Sequence, residues 1–253
     1  MVIKSKDNQL YKFMRSLGTK KGRDRADAFI IEGARFVDEA RKHCQILHIV
    51  MSETFAQKAG DVGDIVLTDF LFNALADTEH SQGILAVCRQ LRPPDSMSAK
   101  GEKSRLFLLI EDINDPGNLG SIIRAADAAG ADAVWLSRGC AELHNPKTLR
   151  GAAGSAFHIP IAENADLSEV LTALKNDGVT IYAAHLAGAA YPYGLDLRSC
   201  CAFIIGNEAR GLSRQIAAAA DVYVKLPIIG QAESLNAATA TGILLYEAVR
   251  QRL

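Results

Sequence analysis

Apolar positions recur in two rhythms along this chain. Near the start, Leu10, Phe13, Met14 and Leu17 stand at i, i+3, i+4 and i+7, a helical stripe that leaves Lys6, Lys12 and Arg15 to face solvent. After Gly18 the run Thr19-Lys20-Lys21-Gly22-Arg23 reads as a loop. Short apolar runs then alternate with helical patterns: strands over 28–31, 46–51, 64–68 and 83–88, helices over 34–43 and 70–76. A stretch from Arg92 to Ser104, rich in Pro, Ser and charge, breaks the alternation. Beyond it the pattern resumes, with strands over 106–110, 133–136, 156–161, 180–184, 202–205 and 222–226. Helices are expected over 119–129 and 167–176, and a last one runs from near Ser234 to Arg250. These later apolar runs do not alternate, the mark of strands buried on both faces of a mostly parallel sheet. The pattern predicts an α/β chain of two domains, residues 1–92 and 105–253, joined by a linker over 93–104.

Composition narrows the class. At 253 residues, with 49% hydrophobic and 23% charged, the chain has the make-up of a folded globular protein. No run approaches the roughly 18 apolar residues of a membrane span, and the first residues lack the apolar core of a signal peptide, so a cytoplasmic protein without membrane contact is expected. Cys44, Cys88, Cys140, Cys200 and Cys201 form no CxxC pair, and reduced core thiols without a metal site are expected. The net charge of 28 − 29 = −1 conceals an asymmetry: residues 1–105 carry 17 basic against 14 acidic side chains, +3, and the remainder 11 against 15, −4. Eight cations against Asp7 and Asp24 in the first 25 residues give +6 there, enough to steer a polyanion to that end. Lys20, Lys21 and Arg23 are the candidate contacts; the plainer reading is a solvated helix with a basic loop.

Three loops after predicted strands are too particular for mere connections. Glu111-Asp112-Ile113-Asn114-Asp115-Pro116-Gly117-Asn118 leads into a helix carrying Arg124, a usual place for an α/β fold to hold a ligand. Asn118 as helix cap is the structural alternative. Gly206-Asn207-Glu208-Ala209-Arg210-Gly211 sets two glycines around a charged pair; a surface turn with a Glu208–Arg210 pair is the alternative. Pro227-Ile228-Ile229-Gly230 and Ser234-Leu235-Asn236 precede a helix of small residues that Ser234 is placed to cap. Lys147 and Arg150 near a helix start at Pro146 oppose the helix dipole, which suggests an external anion, or an ordinary exposed helix start.

Together these segments resemble the SpoU (TrmH-like) family of RNA 2'-O-ribose methyltransferases, of the SPOUT class. Its first motif looks like Asp115-Pro116-Gly117-Asn118-Leu119-Gly120 through Arg124, its second like Gly206-Asn207-Glu208 with Gly211, and its third like Leu226-Pro227 through Gly230 with Ser234-Leu235-Asn236. The N-terminal half, notably Phe29-Ile30-Ile31-Glu32-Gly33, is similar to a ribosomal-protein-like substrate-binding domain. The resemblance implies an α/β fold: a SPOUT-type parallel sheet with a C-terminal trefoil knot, an exception to unknotted topology, preceded by a small α/β domain. It implies S-adenosyl-L-methionine held by His185, Leu186, Gly188, Gly206, Asn207, Ile228, Ser234 and Leu235. It further implies a homodimer through the knotted domain, and an RNA substrate, ribosomal before transfer RNA.

The reaction so implied is attack by a ribose 2'-hydroxyl on a sulfonium methyl, with Arg124, Asn118, Glu208, Ser234 and Asn236 as catalytic residues. A guanidinium holds its proton too firmly to act as a base, so Arg124 is expected to grip phosphate and stabilise the developing alkoxide while the others orient it. Two rivals stand beside this reading. An NADP-dependent oxidoreductase would explain 106–138 but lacks a full GxGxxG and leaves the second and third loops without a role. A non-catalytic RNA-binding relative would keep the fold without Arg124 and its neighbours, which are present.

Overall fold

The computed structural model describes residues 1–60, 63–78, 80–94, 97 and 104–253. The chain forms two compact units, one of Met1–Leu91 with His144–Leu149, the other of Arg92–Leu143 with Arg150–Leu253. Most of the expected linker over 93–104 lies outside the described residues.

The first unit runs β1 (Val2–Ile3), α1 (Gln9–Ser16), α2 (Lys20–Ala26), β2 (Ala28–Glu32), α3 (Ala34–His43), β3 (Ile46–Ser52), α4 (Glu53–Ala59), β4 (Ile65–Leu67), α5 (Asp69–Asn73) and β5 (Ile84–Arg89). Its sheet has the order β1-β4-β3-β5-β2, with β5 antiparallel to β2 and β3 and the other pairs parallel. Of the expected stripe, Met14 and Leu17 are buried and Leu10 and Phe13 half-buried; Tyr11, outside the stripe, joins them in a core with Ile3, Val50, Leu67 and Phe72. The segment read as a basic loop is α2 instead. Thr19 caps it by accepting from the Gly22 amide at 3.1 Å, and Gly22 lies so close to the Ser16 carbonyl that a β-carbon there would collide. Arg23 is consequently buried, donating to the Leu17 carbonyl at 2.9 Å, and is unavailable to RNA; Lys20 and Lys21 remain exposed. Local charge marked all three alike because the carbonyl that recruits Arg23 belongs to the preceding helix end.

The second unit runs β6 (Leu106–Ile110), α6 (Pro116–Ala128), β7 (Ala133–Ser137), α7 (Pro146–Ala152, shared with the first unit's segment), β8 (Ile161–Ala165), α8 (Leu167–Asn176), β9 (Thr180–Ala184), β10 (Cys201–Ile205), α9 (Arg214–Ala218), β11 (Val222–Val224) and α10 (Ala237–Arg252). All pairs in its six-stranded sheet are parallel, in the order β11-β9-β10-β6-β7-β8. The central strands β6 and β10 are buried along their whole lengths, as their unalternating sequences require. The strand expected over 156–161 is instead a 3₁₀ turn (Ser155–Phe157) followed by β8, whose pairing with β7 shifts register. Helix α10 lies against α6 and starts at Ala237, three residues later than expected. Its cap is Asn236, not Ser234.

Candidate active site

The parallel sheet aligns the carboxyl ends of its strands, so the loops after β6, β10, β9 and β11 leave from one edge. After β6, Asp115 caps α6 by accepting from the Asn118 amide at 2.8 Å, with Pro116 in the first helical position. This frees the Asn118 side chain, which is not the cap. Asn118 Nδ2 donates to Glu208 Oε1 at 2.6 Å, and Asn118 Oδ1 accepts from Asn236 Nδ2 at 2.9 Å. Asn236 Oδ1 is committed to the Ala238 and Thr239 amides. One polarity alone satisfies the chain: the α10 amides orient Asn236, Asn236 orients Asn118, and Asn118 presents an N–H to a carboxylate that only accepts. Residues 118, 208 and 236, one from each of the three loops, are thereby joined.

A second network locks the loops after β6 and β10. Asp112 adopts a left-handed φ of 60°, and its carboxylate takes hydrogen bonds from Arg210 and from Asn114 Nδ2. Gly139 lies against that carboxylate with no room for a β-carbon. Asn207 Nδ2 donates to the Asp112 carbonyl at 2.8 Å, while Asn207 Oδ1 accepts from the Ala209 and Arg210 amides. Glu111 accepts from the Ser213 amide at 2.8 Å. A β-carbon on Gly206 would sit 2.6 Å from the Gly211 carbonyl carbon, so the turn closes only with glycine there. Arg210 thus pairs with Asp112 and Glu208 with Asn118, and the alternative of a Glu208–Arg210 turn pair does not form. The role of Asp112, Asn114 and Gly139 was missed in the sequence; the density of Asp and Asn between residues 112 and 118 was its one visible trace. Burial pushes the nearby Cys140 thiol up in pKa, and its Sγ donates to the Ile110 carbonyl at 3.3 Å, which disfavours the thiolate.

The loop after β9 folds back on β11. The His185 amide donates to the Val224 carbonyl at 2.9 Å, its ring stacks on Tyr223 at 5.2 Å, and Gly188 lies within 2.9 Å, at its missing β-carbon, of the Tyr223 oxygen. Leu186 is 72% exposed, Ile229 94% and Leu235 37%, while Ile228 is half-buried. Asn207, expected to touch cofactor, spends its side chain on the loop itself and its carbonyl on the Gly211 amide at 2.9 Å. Ser234 is exposed without a partner among the described residues. Arg124 stands on the α6 face that also carries Gly120, exposed, and no hydrogen bond ties it to the asparagine relay. Lys147 and Arg150 are both exposed on α7.

With this geometry in view, comparison with known proteins places the chain in a family. Residues 105–246 match the SpoU rRNA Methylase family, and residues 8–86 match the MRM3-like substrate binding domain. The chain belongs to the SpoU rRNA methylase family. It is 39% identical over 248 residues to the 23S rRNA (guanosine(2553)-2'-O)-methyltransferase RlmP of Bacillus subtilis, covering 96% of this chain and 97% of that protein. Among solved structures it resembles the AdoMet-bound rRNA methyltransferase of Sinorhizobium meliloti, with a TM-score of 0.88 and 29% identity over 100% of this chain and 98% of the other. It also resembles the SpoU methyltransferase AviRb of Streptomyces viridochromogenes in complex with AdoMet, with a TM-score of 0.86 and 27% identity over 97% and 98% of the two chains.

Proposed function

We propose that this chain is an S-adenosylmethionine-dependent RNA 2'-O-ribose methyltransferase acting on ribosomal RNA. The observation that carries the reading is the Glu208–Asn118–Asn236 relay, which ties the three loops into one constellation. The residues toward the cofactor fit it. The loops after β9, β10 and β11 leave neighbouring strands and offer backbone groups with the aliphatic side chains of Leu186, Ile228 and Leu235, suited to an apolar adenosine body. His185, Gly188, Gly206, Asn207 and Ser234 complete the proposed wall. The cofactor supplies a sulfonium-bound methyl group and its own leaving group.

This chain's residues then position and stabilise. Arg124 is free to hold the phosphate beside the target ribose and to steady negative charge growing on the 2'-oxygen as its proton leaves. Glu208, fixed by Asn118, holds the loop that faces the ribose, and Ser234 presents an unengaged hydroxyl. Lys20, Lys21, Lys147 and Arg150 are the proposed RNA contacts. A homodimer through the second unit is part of the proposal, supported by exposed Tyr193 and Tyr246, as is a trefoil threading of the C-terminal segment. That threading is supported by the reach of Asn236 to Asn118 and by Arg252, which donates to the Leu197 and Ser199 carbonyls. A cytoplasmic setting is supported by five free cysteines. Labelled methyl transfer to ribosomal RNA lacking the modification tests the reading: Arg124→Ala is expected to lower kcat by roughly 10²–10³ with cofactor affinity unchanged. Transfer at the wild-type rate, or binding lost together with activity, would remove Arg124 from the chemistry.

A further inference from the structure

A cleft of about 560 Å³ opens at the carboxyl ends of β6, β7 and β8, on the flank of the sheet away from β9 and β11. Its size suits a single small ligand unit. Five charged side chains line it, and four are spent within the protein. Glu111 accepts from the Ser213 amide, Asp112 pairs with Arg210, and Asp166 caps α8 through the Ser168 and Glu169 amides. The fifth, Arg138 at the end of β7, is exposed and has no hydrogen-bond or ion-pair partner among the described residues. Ser168 and Gln215, bonded to each other at 3.0 Å, add neutral groups able to meet a base edge or ribose. The cleft also shares Arg210 and Gly211 with the loop that carries Glu208, so an occupant of it is continuous with the proposed active site.

We infer that this cleft seats a nucleotide of the RNA strand adjacent to the methylated one, with its phosphate on Arg138. The inference rests on the proposed function and adds a substrate subsite to it. Carboxylates that already accept N–H groups repel an incoming phosphate less than bare ones, and an unpartnered guanidinium offers it a two-pronged contact. Because Arg138 holds nothing among the described residues, its removal leaves the Asp112–Arg210 and Glu111–Ser213 contacts in place.

The test is binding of unmodified ribosomal RNA over a range of salt concentrations, with steady-state methylation in parallel, for wild type, Arg138→Ala and Arg138→Lys. Arg138→Ala is expected to bind RNA about tenfold more weakly. Its log–log salt slope should fall by about 0.7–0.9, the share of one phosphate. KM for RNA should rise while kcat and S-adenosylmethionine affinity hold, and Arg138→Lys should restore the salt slope but only part of the binding, since an ammonium keeps the charge and loses the fork. An unchanged slope and KM in Arg138→Ala would overturn the inference, as would a loss of kcat alone. Guanosine monophosphate whose binding needs Arg138, with RNA binding indifferent to it, would make the cleft an effector site instead and also overturn it. Wild type that binds RNA without transferring methyl would defeat the proposed function, while the salt slope would still decide the cleft; wild type that binds no RNA would defeat both.

Discussion

The loops at the carboxyl edge of the parallel sheet fall into two contrasting groups. Those after β6 and β10 are stitched together by Asp112, Asn114, Asn118, Asn207, Glu208 and Arg210. The loop after β11 is the opposite: residues 226–235 make no hydrogen bond among the described residues and present Ile229 and Leu235 to solvent. One half of the site is set before any ligand arrives, and the other half has little internal structure to lose when one does. Preorganisation is concentrated where catalytic groups need fixed directions, and compliance where an apolar molecule must enter.

This contrast can be broken or sharpened by experiment. The largest effect is expected at Gly206→Val, which drives a side chain into the Gly211–Leu212 backbone at 2.6 Å; about 3 kcal/mol of stability and nearly all methyl transfer should be lost. Gly230→Ala, with nothing within 4 Å, should change stability by less than about 0.5 kcal/mol in the same thermal melts. Next, S-adenosylmethionine at a hundred times its Kd should add about 2.7 kcal/mol, and amide exchange should slow mainly over 226–236. Protection confined to 207–213 would reverse the assignment of rigid and yielding halves.

The first unit repeats the contrast on a smaller scale. Arg23→Ala, which leaves the Leu17 carbonyl without its buried donor, should cost about 2 kcal/mol in urea unfolding. Lys20→Ala with Lys21→Ala should leave the melt alone and reduce the salt slope of RNA binding, by about one unit for each phosphate that is no longer neutralised. The smallest effect concerns the thiols. Burial pushes Cys201 up to about 11, so at pH 8 about one in a thousand is thiolate and alkylation should be slow until the pH approaches 11. A hydrogen bond with Cys88 lowers the half-buried Cys44, which should be modified first, as mass mapping of partly alkylated protein would show.

The sequence made the framework legible where a single local property decides it. Residues 106–110, 167–176 and 180–184 stand where the apolar runs and helical period put them, because burial on both faces and amphipathic spacing are written locally. The three loops of the site were legible as well, through their Gly, Pro and Asn content. What bonds they make was not. Asn118 meets partners 90 and 118 residues away, and nothing near it says whether its side chain will cap a helix or leave it. Likewise β8, Ile161–Ala165, carries Glu163 and Asn164 in an edge strand, and its weak apolar signal lost to the stronger run just before it.

The space beside Gly139 has a consequence for how such chains can diverge. The Asp112 carboxylate occupies the volume that a side chain at position 139 would fill, so the two positions are not free to drift independently. Alanine at 139 would push on Asp112 Oδ1, the oxygen that accepts from Asn114 Nδ2, so the carboxylate must swing aside and the Arg210 pair on its other oxygen must adjust with it. Positions 139 and 112 are therefore coupled, and a larger residue at 139 is expected together with a shorter or re-aimed side chain at 112.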